Sequence, residues 1–466
     1  MDHEKLKEYS IGVANQLHLA LSAQKDSLID VGLDLVNRVL HGHHVWAFGS
    51  GHSHILVEEW LDKPGSPQFI KTVGMEEVLG HPVKCGIIER DEAFGAVVMK
   101  MWSVKARDAV ILISNSGTNG QIVELALQLK TKQCRVIALT NPTQSRAVSA
   151  RHSSGKKLYQ IADVVLDNYS GNGDAVFEVA KDQFMGATST IIGSALIQAL
   201  NVVMMTAMVQ AEFHKSRRMK GKINDRLVTI DREGIRQSLD EFIHRLTKAI
   251  DDHCELTLPQ IARAGQVAAQ AVLDGHDCFM FGMGHDHSLV EEIHARAGTV
   301  MVNRSLVMHN PETMITNGQL KAKLYAGITS YGQAIYEMAD PNPGDCFLVF
   351  SQQFHEPAIQ QLCVLAARQG CPVIGVTRAQ TKESSPLEGI TWIKMRIPSR
   401  LHCGHSFVGD LTTVLGALTG QCLVMAQAMM LMDQGVVLPS RISVNTDRGL
   451  IHTEAMNRKH FKASIV

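Results

Sequence analysis

The sequence predicts an α/β protein of two tandem domains, each a three-layer α-β-α sandwich around a mainly parallel sheet of about five strands. Residues 49–59 (GSGHSHILVEE) recur as residues 282–292 (GMGHDHSLVEE), and self-similarity at such a spacing indicates a duplicated domain. Short apolar runs also alternate with helical segments in the same order in both halves, which is typical of parallel sheets with crossover helices. We place the two domains at residues 1–225 and 226–466.

The composition is that of a soluble globular protein. The chain has 466 residues, of which 45% are hydrophobic and 20% charged, and its formal net charge is −1. This charge balance favours neither nucleic acid nor a membrane surface as a partner. Nine cysteines without a C-x-x-C motif indicate reduced thiols, and the charged first residues show no signal-peptide pattern. We therefore expect a cytoplasmic protein.

The first half contains a complete set of alternating elements. An amphipathic helical region is expected over residues 1–42, and a helix is expected from about Ser53. A long uncharged helix is expected over residues 186–211. Four short apolar runs are predicted strands, at residues 45–49, 109–114, 135–140 and 162–167.

The second half repeats this order, with predicted strands at residues 278–282, 345–351 and 372–377 and a second uncharged helix at 411–432. Both uncharged helices could be mistaken for membrane spans by composition. They carry polar side chains such as Gln198 and occupy the same place in each half, so we interpret both as buried core helices.

The strongest functional segment is SNSGTNG at residues 114–120, which follows a predicted strand and opens a helix. Hydroxyls, small residues and free backbone N–H groups at a helix N-terminus form a phosphate site without needing a lysine. An ordinary helix cap would need only one such residue. The segment lacks the pattern of a nucleotide-binding P-loop, and residues 49–54 lack the third glycine of a dinucleotide fingerprint.

The repeated histidines allow two interpretations. His52-x-His54 and His285-x-His287 could hold a metal, but only His43, His44, Glu58 or Glu59 are third-ligand candidates near the first pair. A histidine with a carboxylate one or two turns later also makes an acid/base pair. Adjacent glutamates (Glu58 and Glu59, Glu291 and Glu292) point in different directions on a helix, so at most one of each pair faces a given cleft. We predict no metal and no cofactor.

Several of these segments resemble the sugar isomerase (SIS) domain family. The resemblance rests on strand–GSGHS–helix at 49–53 and on strand–SNSG–helix at 114–117. The first half is similar to bacterial single-SIS proteins of the phosphoheptose-isomerase-like type, through segments such as GHSH, ISNSGTN, ADVVLDN and GDAVFEV. The tandem layout is similar to the isomerase half of glucosamine-6-phosphate synthase.

The resemblance implies a phosphosugar ligand bound where two SIS domains meet, and a dimer or higher homo-oligomer as the assembly. It implies phosphate contacts from Ser53, Ser114, Ser116 and Asn119, to which we add Asn115 and Thr118 of the same loop. In the second half Asp286 replaces Ser53, and SQQFHEP at 351–357 replaces SNSGTNG. The second phosphate loop is therefore degraded, and the second domain is expected to supply the facing wall of one site, from among His285, His287, Glu291, Glu292, His309, His402 and His405.

The expected reaction is aldose–ketose isomerisation of a sugar phosphate, an intramolecular oxidoreduction, or a deamination or deglycation that begins with the same proton transfer. A carboxylate, Glu59 or Glu292, would move a proton between C1 and C2, and His52 or His309 would open the ring. The alternative is a non-catalytic phosphosugar sensor or regulatory protein, because one degraded loop suits a sensor as well as an enzyme. No helix-turn-helix unit is evident in the sequence.

Overall fold

A computed structural model describes residues 3–72, 86–171, 173–218, 230–294, 296–300, 302–307, 310–315, 318–379, 389–436 and 438. The first half holds the strands β1 (Val45–Gly49), β2 (Ile70–Thr72), β3 (Ala109–Ile113), β4 (Arg135–Thr140) and β5 (Val164–Asp167), followed by a hairpin of β6 (Ala175–Ala180) and β7 (Gln183–Ala187). The five strands pair in parallel in the order β2-β1-β3-β4-β5.

The second half repeats this topology. Its strands are β8 (Cys278–Gly282), β9 (Asn303–Ser305), β10 (Cys346–Phe350), β11 (Val373–Arg378) and β12 (Thr391–Met395), followed by a hairpin of β13 (Leu401–Cys403) and β14 (Ser406–Val408). They pair in parallel in the order β12-β11-β10-β8-β9. Two parallel five-stranded sheets surrounded by helices confirm the predicted fold class.

Helices surround both sheets. In the first half they are α1 (His3–Ala23), α2 (Lys25–Leu40), α3 (His54–Val57), α4 (Glu92–Met101), α5 (Gly120–Thr131), α6 (Pro142–Ala147), α7 (Leu158–Ile161) and α8 (Ser189–Arg218). In the second half they are α9 (Arg232–Asp252), α10 (Leu258–Leu273), α11 (His287–Ile293), α12 (Gln319–Ala326), α13 (Thr329–Ala339), α14 (Pro357–Arg368) and α15 (Thr412–Asp433). The predicted boundary between residues 225 and 226 lies outside the described residues and stays a prediction.

The central strands are apolar and fully buried. Every residue of β1, β3, β8 and β10 is buried, as expected for inner strands covered by helices on both faces. Gly49 at the end of β1 pairs in register with Ile113 at the end of β3. The loops that follow these two strands therefore leave the same carboxyl edge of the sheet, where ligands bind in open α/β folds.

The helix expected from Ser53 is shorter than predicted. The chain makes a 3₁₀ turn at Gly51–Ser53, the single turn of α3, and another 3₁₀ turn at Glu58–Trp60, and it becomes extended at Leu61. Pro64 disfavours helical geometry in the residue before it, so the helix cannot continue through this point. The peripheral strands β2, β9 and β12 and both hairpins were absent from the sequence prediction. The segments of β2 and β9 have only three residues and are too short to show a periodicity.

The two long helices lie inside the protein. Both α8 and α15 contain stretches long and apolar enough to cross a membrane, but 83% and 94% of those stretches are buried. They pack against each other, and several of their polar side chains accept or donate hydrogen bonds, as where Trp60 Nε1–H donates to Asn201 Oδ1 at 2.7 Å. They are the core helices that the sequence analysis predicted.

Candidate functional site

The loop of residues 114–119 connects β3 to the N-terminus of α5 and is held in a tight turn. Gly117 has φ +60°, and its N–H donates to Ser114 Oγ at 3.2 Å. A Cβ at Gly117 would lie 2.8 Å from Thr140 Oγ1, so both the backbone conformation and the space favour glycine. The Thr118 hydroxyl donates to Ser116 Oγ at 3.3 Å.

This loop presents unused donors. Within the described residues, no hydrogen bond is found from the backbone N–H groups of Asn115, Ser116, Thr118 and Asn119. Asn119 is the N-cap residue of α5 but makes no side-chain cap bond, which distinguishes the loop from an ordinary helix cap. Converging N–H groups at a helix N-terminus form an anion site.

The remaining predicted phosphate residues lie at the same sheet edge. Asn115 uses its side chain to hold the loop, because its Nδ2 donates to Gln144 Oε1 at 2.9 Å and its Oδ1 accepts from Asn168 Nδ2 at 2.8 Å. Its backbone N–H is the donor left for a ligand. Ser53 closes the turn after the neighbouring strand β1 and is half-buried.

Two charged residues at this loop were missed by the sequence analysis. Arg151 Nη1 donates to Asn119 Oδ1 at 2.8 Å, which brings a cation to the helix N-terminus. Glu89 accepts from Gln121 N–H through its backbone carbonyl at 3.2 Å, and burial raises the pKa of its carboxyl group. Arg151 lies 32 positions beyond Asn119 in the chain, and no local pattern indicated its contact.

The equivalent loop in the second half has the same backbone and different chemistry. Phe354 has φ +52° at the position of Gly117, and its N–H donates to Ser351 Oγ at 2.9 Å. Asp286 Oδ2 accepts from the backbone N–H of Gln352 at 3.1 Å, the counterpart of the unused N–H of Asn115. Burial raises the pKa of Asp286 to about 6. In the second half a carboxylate of the protein therefore accepts from the loop N–H whose equivalent in the first half has no partner among the described residues.

The halves meet in a pseudo-two-fold interface, in which equivalent residues make equivalent contacts. His52 Nε2–H donates to the carbonyl of His294 at 3.0 Å, and His285 Nε2–H donates to the carbonyl of Leu61 at 2.8 Å. Burial lowers the pKa of His52 to about 4, so this imidazole is neutral at pH 7. The predicted ring-opening residue thus lies between the halves.

The predicted bases Glu59 and Glu292 are equivalent residues in the same interface. Lys63 Nζ lies 2.8 Å from Glu59 Oε1, and Gln198 Nε2 donates to the other oxygen. Arg296 contacts Glu292 and lies 2.7 Å from Asp174 Oδ2.

The single guanidinium of Arg296 is thus shared by two carboxylates. Burial raises the pKa of Glu292 to about 7. Although burial opposes it, Arg296 holds the pKa of Asp174 below its usual range. Glu292 is therefore the carboxylate of this pair whose pKa lies near neutral pH.

The other member of each glutamate pair joins a histidine from the opposite half. His54 Nε2 lies 2.6 Å from Glu291 Oε2, and His287 Nε2 lies 3.1 Å from Glu58 Oε1. Burial disfavours the charged imidazole, but Glu58 and Glu291 outweigh it, raising the pKa of His54 and raising that of His287 to about 9. Adjacent glutamates thus serve different clusters, as the helix geometry predicted.

The other candidates for the facing wall are dispersed. His402 and His405 lie exposed in and beside the hairpin of β13 and β14, and His309 lies outside the described residues. Within the described part of the chain, the structure thus brings His285, His287, Glu291 and Glu292 together with His52, Glu58 and Glu59.

Comparison with known proteins identifies relatives of both sequence and fold. A model of the SIS domain family matches residues 8–141 and 241–378. A UPF0309 protein of Halalkalibacterium halodurans is 37% identical over 203 residues, covering 43% of this chain and 84% of that protein. A UPF0309 protein of Geobacillus thermodenitrificans is 31% identical over 198 residues, covering 42% of this chain and 80% of that protein.

One solved structure shares the fold over nearly the whole chain. The C-terminal domain of glucosamine-fructose-6-phosphate aminotransferase from Francisella tularensis covers 93% of this chain and 96% of its own, with a TM-score of 0.50. Its sequence identity of 12% makes this a likeness of fold alone.

Proposed function

The chain belongs to the SIS domain family, and we propose that it binds a sugar phosphate at residues 114–119 and isomerises it between aldose and ketose. One observation carries the proposal. Four backbone N–H groups in the loop that leads into α5 have no partner among the described residues, and Arg151 adds positive charge there. A phosphate would satisfy these donors and gain from the helix dipole.

The second loop supports one phosphate site per chain. The Asp286 carboxylate already accepts the backbone N–H that corresponds to the unused N–H of Asn115. Ser351 Oγ is also 2.7 Å from Glu356 Oε2. Two carboxylates at this loop would repel a phosphate dianion, so the first loop is the phosphate site in this proposal.

Proton transfer is assigned to Glu292 in this proposal. Its pKa of about 7 suits a group that takes and returns a proton near neutral pH. Glu292 is bonded to Arg296 and Gln421 much as Glu59 is bonded to Lys63 and Gln198. Neutral His52 would assist ring opening, and His309 keeps the same proposed role from outside the described residues. The cytoplasmic location and the assembly into a homodimer or larger oligomer belong to the proposal as well.

The second candidate function is a non-catalytic phosphosugar sensor. It is favoured by the enclosure of both glutamates, because Glu59 and Glu292 are 1% and 0% exposed. A sensor needs the phosphate loop but no carboxylate that can reach the sugar carbons.

A panel assay separates the two functions. The protein would be incubated with hexose, pentose, heptose and hexosamine phosphates in D₂O and followed by NMR. Deuterium next to the carbonyl group is the expected result, and it reports isomerisation as well as a deamination or deglycation that begins with the same step. Binding across the panel without deuterium incorporation would instead establish the sensor.

The phosphate site has its own test. The double variant Ser114→Ala/Ser116→Ala should abolish thermal stabilisation by the bound sugar phosphate. Arg151→Ala should weaken its affinity about tenfold, the loss expected for one charge-assisted hydrogen bond. Ser351→Ala in the second loop is the matched control and should bind as the wild type does. Unchanged stabilisation in the double variant would refute the phosphate assignment.

A further inference from the structure

The fold brings four buried side chains together on the pseudo-two-fold axis between the halves. His54 and Glu58 form a His-x-x-x-Glu pair, and His287 and Glu291 form its copy. All four side chains are at most 6% exposed. The phosphate proposal uses none of them.

The ligand atoms of three of these side chains converge at the spacing of a metal's ligands, and the carboxylate of the fourth, Glu58, lies beside the two imidazoles. The ligand atoms of His54, His287 and Glu291 all lie within 4.8 Å of one another. Glu58 Oε1 is 3.1 Å from His287 Nε2 and 3.8 Å from His54 Nε2, and Glu291 Oε2 is 2.6 Å from His54 Nε2. Zinc–ligand bonds of about 2.05 Å at tetrahedral angles separate ligand atoms by about 3.3 Å. The three observed separations bracket that value.

Both imidazoles are oriented as metal-binding histidines usually are. His54 Nδ1 lies 2.5 Å from the carbonyl oxygen of Gly51, and His287 Nδ1 contacts the carbonyl oxygen of Gly284. A carbonyl can only accept, so each Nδ1 carries a hydrogen, and a metal ion that displaces the proton from Nε2 would meet an Nε2 lone pair that faces the cluster. The glycine carbonyls thus fix both rings.

The atoms facing the centre of the cluster lack aligned partners. Among the described residues, no hydrogen bond of acceptable geometry reaches His54 Nε2, His287 Nε2 or either carboxylate oxygen of Glu58 and Glu291. Buried polar atoms in folded proteins are nearly always bonded. Six such atoms in one place therefore indicate an occupant that satisfies them together.

We propose that His54, Glu58, His287 and Glu291 bind one divalent first-row transition-metal ion, for which Zn²⁺ is the best fit. Two imidazole nitrogens and two carboxylate oxygens suit such an ion, and two glutamates neutralise its charge. Four protein ligands in a buried site leave no position for substrate, which is the arrangement of a structural metal. The ion fastens the two halves, since each contributes one histidine and one glutamate.

This proposal reverses the expectation of no metal, and it is independent of the phosphate site. The sequence analysis named Glu58 among the possible third ligands near the first histidine pair, but the other half of the ligand set lies 233 positions away (287 − 54 = 233). His52 takes no part in the cluster, since it bonds to a backbone carbonyl.

Metal content tests the proposal on the untagged full chain. Protein stripped with a chelator and dialysed against Zn²⁺ should hold about one ion per chain by mass spectrometry, as a four-ligand site requires. It should also melt at a higher temperature than the stripped protein, because the ion binds the folded state. Co²⁺ in place of Zn²⁺ should give the visible absorption of a tetrahedral site. Stripped wild-type protein that takes up neither ion would overturn the proposal.

Variants locate the ion. Two double variants should each lose the ion and its effect on the melting temperature: His54→Ala/His287→Ala and Glu58→Gln/Glu291→Gln. The second is nearly isosteric with the wild type and serves as the test if the first fails to fold. His152→Ala is the control, because Glu92, Glu124 and His152 form a separate cluster of possible ligands. It should keep the ion. Retention of the ion by both double variants would overturn the proposal. Loss of the ion in the control alone would overturn it as well. In either case, imidazolium–carboxylate pairing would account for the cluster.

Discussion

Replacing Arg296 with methionine should leave two carboxylates buried without a cation. Arg296 is 5% exposed. Its Nη2 lies 2.7 Å from Asp174 Oδ2, its Nη1 contacts Glu292, and the same Nη1 donates to Thr190 Oγ1 at 2.7 Å. Methionine fills much of the volume of the side chain, so the change removes charge and hydrogen bonds more than packing.

The expected loss is about 3–5 kcal/mol of unfolding free energy at neutral pH, the usual cost of leaving a buried charge without its partner. Lys63→Met is the matched control, because Lys63 is the equivalent residue of the first half and contacts Glu59 at 2.8 Å. Against the opposing effect of burial, Lys63 also lowers the pKa of Asp410, but that carboxylate would keep Arg378 and Arg400 at 3.9 and 3.7 Å. We expect a smaller loss there. The triple variant Arg296→Met/Asp174→Asn/Glu292→Gln should recover much of the stability by removing both charges.

The loss should depend on pH with a definite sign. Without Arg296, burial and mutual repulsion both raise the pKa of Asp174 and Glu292 above their unfolded values of 3.8 and 4.5. The folded variant then holds protons that the unfolded chain releases, so its unfolding free energy falls as the pH rises from about 4 to above 7. In the wild type the lowered pKa of Asp174 contributes stability that is present above pH 3.8 and lost below it. The pKa of Glu292, raised to about 7, already lowers the wild-type unfolding free energy between pH 4.5 and pH 7, and without Arg296 this loss becomes larger and extends to higher pH. The difference between variant and wild type should therefore widen as the pH rises.

Urea unfolding followed by circular dichroism between pH 5 and pH 8 measures this difference. A loss below about 1 kcal/mol, the range of an exposed ion pair, would refute the reasoning. A loss of the same size at every pH would refute it as well, because it would mean that lost packing, and not lost charge pairing, causes the destabilisation.

Two further predictions concern buried histidine and glycine. Burial lowers the pKa of His253 from 6.5 to about 4. The unfolding free energy should therefore fall by up to about 3 kcal/mol as the pH drops from 6.5 to 4. In His253→Gln the midpoint of urea unfolding should depend less on pH between pH 4.5 and pH 7. An equally steep loss in that variant would contradict the assignment. Gly332→Ala would put a Cβ 2.0 Å from the carbonyl oxygen of Ala358 and should cost about 1–3 kcal/mol, whereas Gly12→Ala on α1, with nothing within 4 Å, should gain about 0.5–1 kcal/mol in thermal unfolding.

Local patterns were sufficient for the inner strands and the loops that follow them. The runs at 45–49 and 278–282 were predicted with the bounds that the structure has, because a fully buried strand must be apolar throughout. The proposed phosphate loop could be singled out because its residue types and its place between a strand and a helix are local properties. The edge strands β2 and β9 could not be predicted from sequence, since a strand of three residues is too short to show a periodic pattern.

The glutamate pairs mark the limit of such patterns. Helix geometry required Glu58 and Glu59 to point apart, but the identity of their partners depends on the other half of the chain. Lys63 and Gln198 bind Glu59, and His287 contacts Glu58. The pKa of Glu292 likewise depends on Asp174, which shares Arg296 with it.

The sequence by itself determined the duplication, the two parallel sheets and the loop that offers donors to an anion, since each follows from residue order over a short stretch. Tertiary structure alone decided how the two copies face each other. The pseudo-two-fold packing joined His54 to Glu291 and His287 to Glu58, and the folding of the first half brought Arg151 to Asn119, 32 positions earlier in the chain. The physical reason is that burial and charge act through space, so the chemistry of a buried group is set by neighbours that are distant along the chain.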